Sequence, residues 1–146
     1  MPDFDAIATA IAARYAPGQV TPPTGYANIR TSTADAPGNI VAPCVIVFPE
    51  AGTFEPGSGT RIGASDFLVR FYFEKAADLP RQLTALRRWL TVLVDQHLLS
   101  VQLGGTVASC RTMRWSVGLL EYGDQPYAGI ELGVHVVTSE AWSPTA

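Results

Sequence analysis

Two histidines, two cysteines and one glycine-rich string hold most of what this 146-residue chain could offer to chemistry. Metal ligation needs His, Cys or carboxylates clustered at ligand spacing. His97 and His135 stand far apart, Cys44 and Cys110 form no C-x-x-C, and H-E-x-x-H is absent. A serine nucleophile wants G-x-S-x-G at a strand-to-helix elbow. Pro56-Gly57-Ser58-Gly59 lacks that spacing, and no helical pattern follows it. Phosphate-cradling loops need G-x-G-x-x-G or a lysine-bearing P-loop. The string Gly57 to Gly63 misses the first by one residue and contains no lysine. Glu121 and Asp124 flank a turn, and Glu50 and Glu55 share a loop-like stretch, where solvation and turn chemistry account for them. No catalytic residue, cofactor or metal is expected.

Those residues are positioned by a strand and a helix that together run from Ser65 to Leu99. The strand alternates strictly, with Phe67, Val69, Phe71 and Phe73 on one side and Leu68, Arg70, Tyr72 and Glu74 on the other. Helical spacing follows, with Leu79, Leu83, Leu86, Leu90 and Leu93 on one stripe and Arg81, Gln82, Arg87, Arg88, Thr91 and Asp95 mainly off it. Asp78 suits the N-cap, and Pro80 is tolerated in a first turn whose N–H groups lack partners anyway. His97 falls at the helix end, where a cation favours the dipole.

The remaining chain fits the same plan. Asp3 to Tyr15 reads as a short amphipathic helix stopped by Pro17-Gly18. Ala27 to Thr33 is strand-like, and Ala36 to Asn39 turns the chain. Ile40 to Phe48 is an apolar run suited to a strand covered on both faces, with Pro43 placing its start at an edge or bulge. Pro49 to Ala64 is either a mobile loop or the tip of a long hairpin, and binding a neighbour is the commoner use of such a piece. Ser100 to Ser109 starts strand-like and breaks at Gly104-Gly105. Thr112 to Glu121 and Ala128 to Thr138 alternate again around the turn Tyr122 to Tyr127. Pairing Glu121 with Ala128 sets Leu119 opposite Ile130, Val117 opposite Leu132 and Trp115 opposite Val134. The outer face of this hairpin carries Gly118, Gly129 and Gly133, which let another backbone approach closely or ease sheet twist. His135 shares that face, near Arg114, and is a candidate for an intersubunit contact. Ser139 to Ala146 reads as an irregular tail.

The expected architecture is a single α+β domain over residues 1–146, its mainly antiparallel sheet covered on one face by two helices. The chain is 47% hydrophobic and carries a formal charge of −3, so no overall basic field invites nucleic acid. Charged residues make up 16%, against a usual quarter or so, which points to surface hidden in an oligomer or to a large core. No apolar run is long enough to span a membrane. The N-terminus places acids before its apolar residues, unlike a secretory signal, so synthesis in the cytoplasm is expected. Cys44 and Cys110 read as two small buried thiols.

Taken together, DFDAIATAIAARY, APCVIVFPE, DFLVRFYFEKAADLPRQLTALRRWL and RWSVGLLEYGDQPYAGIELGVHV resemble the tail terminator proteins of bacteriophages with long, non-contractile tails. The likeness is one of architecture over most of Asp3 to Thr138, since the family offers no invariant motif. It implies a structural virion protein, usually a hexameric ring, at the head-proximal end of the tail tube. Such a ring ends tube polymerisation and presents a surface to the head connector, while genomic DNA passes through the lumen without specific binding. Aromatic residues and arginines dominate interface energetics. Phe54, Arg61, Arg70 and Tyr72, with Arg87 and Arg88, are therefore the expected contacts, beside Gly118, Gly129, Gly133 and His135. The alternatives are another neck component, such as a head-closure or tail-completion protein, and a small oligomeric enzyme or ligand-binding domain with its pocket between helix and sheet.

Overall fold

The computed structural model describes residues 3–56, 60–99, 103, 107, 110 and 113–141, with backbone alone for 54–56, 60–62 and 139–141. In chain order the elements are α1 (Phe4–Ala13), β1 (Thr31–Thr33), β2 (Cys44–Pro56), β3 (Thr60–Lys75), α2 (Leu79–Leu98), β4 (Met113–Tyr122) and β5 (Gln125–Ala141). The five strands form one sheet in the order β1-β2-β3-β5-β4. β1 pairs parallel to β2 and every other pairing is antiparallel. Both helices lie on one face, so the α+β reading holds.

Alternation decides the faces. Val45 and Val47 of β2, Phe67, Val69, Phe71 and Phe73 of β3, and Ile130, Leu132, Val134 and Val136 of β5 are buried beneath the helices. Asp3 caps α1 by accepting the Ala6 N–H at 3.0 Å, and the helix seats Ile7, Ala8, Ile11 and Ala12 on the sheet. Asp78 caps α2, with proline in its first turn.

The stripe of α2 is turned from the expected one. Its buried residues are Gln82, Ala85, Leu86, Trp89, Leu93 and His97, while Leu79 is exposed and Leu83 and Leu90 are half-buried. Two anchors account for the rotation. Trp89, the largest fully buried side chain, lies 4.7 Å from Phe71 between ring centroids. Gln82 closes the β3–α2 corner, donating to Glu74 Oε1 and to the Lys75 carbonyl, both at 2.8 Å, and accepting from the Ala77 N–H. A buried amide with its partners in place costs the core little.

The second face has a smaller cluster of Cys44, Ile46, Tyr72 and Tyr127, over which Ile40, Ala42, Phe48, Leu120 and Tyr122 pack. Residues Cys44 to Val47 are thus covered on both faces, as the unbroken apolar run required. Strand pairing begins at Thr31 rather than Ala27, because the partner strand starts only after Pro43, which has no N–H to give a ladder. The Pro43 carbonyl accepts the Arg30 N–H at 2.8 Å. Pro49 to Ala64 proves to be the distal part of the β2–β3 hairpin, paired as far as Pro56 with Arg61.

One register differs from expectation by two residues. Glu121 faces Pro126, so Leu119 faces Ala128, Val117 faces Ile130 and Trp115 faces Leu132. Pairing continues to Tyr122 and Gln125, leaving a two-residue loop in which Gly123 takes φ 61°. A shift of two preserves every side chain's face, so alternation alone could not distinguish the registers. Of the strand-like start at Ser100 to Ser109, Leu103 and Val107 are described, and both are buried. The rest of it, the Gly57-Ser58-Gly59 string and the tail from Trp142 lie outside the described residues.

Candidate interaction surfaces

The strand register builds a three-stranded arm. β1 leaves β2 at Ile46, and β4 leaves β5 at Val134. Among the described residues, β2, β3 and β5 alone run on together, to Pro56, Thr60 and Ala141. At about 3.3 Å per residue the portion beyond Pro49 reaches on the order of 20 Å. Phe54 and Arg61 belong to it, opposite Gly63 and Pro56 in the ladder; their side chains lie outside the described residues.

At the foot of the arm an open groove of about 430 Å³ runs between Phe4 of α1 and the bulged turn of β2. Phe4, Pro49 and Phe67 give it apolar walls, with Ala51, Gly52, Thr53 and Ser65 along the strands. The helix–sheet interior where a small-molecule pocket was the alternative is filled by Trp89, Phe71 and their neighbours. Among the described residues no three His, Cys, Asp or Glu side chains gather to hold a metal ion, and no helix is long and apolar enough to cross a membrane.

The face away from the helices carries a ladder of opposite charges. Arg70 pairs with Glu131 at 2.9 Å, Arg114 with Glu50 at 2.8 Å, and His135 Nδ1 lies 3.0 Å from Asp66 Oδ1. Arg70 also stands over the Phe48 ring, 5.2 Å from its centroid. All are partly exposed, so these pairs set the pattern of charge on the surface more than they stabilise it. Pattern reading located Arg70, Arg114 and His135; Asp66 and Glu131 sit at matching alternating positions and Glu50 in the bulge of β2, and the pairs become visible only once the register is known.

Several expected contacts are spent inside the subunit. Tyr72 is fully buried, edge-on to Tyr122 and Tyr127 at 5.6 Å in each case, so it cannot serve as an interface residue. Burial raises its phenol pKa, and it pushes the neighbouring Cys44 thiol up to about 11. Gly129 makes room for the Phe71 carbonyl and for Leu120, whose Cδ1 would lie 2.7 Å from an added Cβ. Gly133 is crossed by the Arg114 side chain, its Cγ and Cζ each 2.7 Å from such an atom. The space left by these two glycines is therefore filled from within and does not admit another backbone. Gly118, opposite Gly129, has open space beside it. Arg87 and Arg88 are exposed on the outer side of α2. His97 is buried at the far end of that helix, where Arg14 donates to its carbonyl and to that of Gln96.

Two exposed residues were missed. Trp115 and Leu119, on the edge strand β4, are 58% and 56% exposed although both point to the helix side. Alternation placed them in the core; the edge position of β4, at the margin of the cover given by α2, leaves them in solvent. No protein-family model matches the chain, and no curated protein matches it significantly.

Proposed function

We propose that the chain is a structural protein of a bacteriophage virion, forming a ring at the head-proximal end of a tail tube. In this reading it ends tube polymerisation and joins the tail to the head connector. The observation that carries it is the three-stranded arm, rooted in the core and bearing strand edges that extend past β1 and β4. A ring closes through heterologous contacts, in which one patch of each subunit meets a different patch of the next. The arm and the Phe4–Pro49–Phe67 groove supply two such unlike surfaces on one molecule. A chain with net charge −3 also suits the wall of a passage that DNA must traverse without sticking.

The likeness to tail terminators supports this assignment within the neck. Electron microscopy of particles made without the chain tests it: a terminator's loss gives tails of uncontrolled length. Normal-length tails that fail to join heads would instead indicate a head-closure role. Added to growing tubes of the same particle, the purified chain should bind at one end and stop elongation. An assembled ring with a strongly positive lumen would contradict the DNA-passage part of the reading.

A further inference from the structure

The sheet's edges are unequally protected against pairing. β1 offers three residues, and β2 beyond Ile46 is interrupted by Pro49, a bulge and Pro56. Short edges, prolines and bulges are the usual barriers to strand-to-strand association. β4 has none of them. Its ten residues pair in unbroken register with β5 on one side, and among the described residues no strand pairs on the other. Trp115 and Leu119 stand in solvent on its helix side, and the flank of α2 beside them is apolar. Gln96 bonds α2 to α1 through the Arg14 carbonyl. At 100° per residue Leu83 and Leu90 therefore lie on the opposite flank, and both are half-buried.

We propose that β4 is a self-association edge, on which a second copy of this chain pairs β4 to β4, antiparallel, about a twofold axis at Val117. Residues directly opposite in an antiparallel pair share a face, so a twofold axis normal to the sheet keeps the helices of both copies on one side. With Val117 opposite itself, Trp115 falls opposite Leu119 of the second copy, and the reciprocal pair forms by symmetry. The two exposed apolar side chains of the edge then cover each other twice. Slipping the register by two residues one way sets Trp115 against Glu121, and slipping it the other way shortens the ladder. The strand is its own complement, which is why a second copy, and not an unrelated strand, is the occupant. This pairing rests on the edge alone and is independent of the ring.

Sedimentation velocity on the purified chain tests it. The wild type should sediment as a dimer that dissociates on dilution. Trp115→Lys or Leu119→Glu alone should weaken the dimer about 1,000-fold, from roughly 30-fold per hot-spot side chain acting at two symmetric places. Combining the two substitutions should restore a dimer, now salt-sensitive, because each new lysine faces a new glutamate across the axis. The same two positions in one strand are four residues, or roughly 13 Å, apart and cannot pair with each other. Oxidised Val117→Cys should give a covalent dimer, a readout that needs no change of charge. A wild-type monomer at every concentration, an oligomer indifferent to both single substitutions, or a double variant no better than the singles would overturn the pairing. Failure to cap tail tubes would bear on the ring alone.

Discussion

Gly129 and Gly133 lie on the same face of β5, yet substitution should separate them. A Cβ at Gly129 meets the Phe71 carbonyl, which is backbone and cannot move aside, whereas at Gly133 it meets the exposed, flexible Arg114. Gly129→Ala should cost about 2–3 kcal/mol in urea unfolding, the scale of core overpacking, while Gly133→Ala should leave the urea midpoint almost unmoved. Gln82 offers a complementary test. Gln82→Ala removes a fully buried amide that bonds the Ala77 N–H, the Lys75 carbonyl and Glu74, and should cost about 1–3 kcal/mol by the same measurement. Neither glycine's role could be read from type and spacing. A glycine in a strand announces that something comes close, and only the register reveals that here it is Leu120 and Arg114 of the same subunit.

At the scale of elements, the β4–β5 hairpin turns on Gly123, whose φ of 61° lies where L side chains are strained. Gly123→Val should destabilise the fold by about 1–2 kcal/mol, while Gly123→Asn, which tolerates that conformation, should cost less; thermal melts of both variants check this. The strand faces and both helix starts were legible in the sequence, because period two, an N-cap aspartate and a first-turn proline are local signals; the β2–β3 hairpin was one of two readings of Pro49 to Ala64. The register of β4 on β5 was not legible, since slips of two residues satisfy the same alternation. The stripe of α2 escaped for a different reason. Counting leucines weights every apolar residue alike, whereas one indole on Phe71 and one bonded glutamine set how the helix is rotated. The arm was legible as a feature and unreadable as a surface, because its groove needs Phe4 brought beside Pro49 and Phe67.

Taken as a whole, the molecule holds several buried acidic protons. Burial raises the Cys44 thiol from 9.0 to about 11, and raises the phenols of Tyr15 and Tyr72 as well. The folded state keeps these protons more tightly than the unfolded chain, so their contribution is whole below pH 9 and drains away as pH rises towards about 11 and beyond. Melting temperature followed through that range should fall steadily, and a thiol reagent at mild pH should reach Cys44 only after unfolding. The position of β5 has a consequence for manufacture. It is the last of the five strands to be synthesised, yet it takes a place between β3 and β4 and joins partners as distant in sequence as Thr60 and Ala141. Until it arrives, a nascent chain displays the phenylalanines of β3 with one neighbouring strand missing. Folding of the sheet must therefore wait until β5 has emerged and proceed slowly, through contacts of long sequence separation. During that interval the exposed phenylalanines of β3 are the chain's chief aggregation hazard.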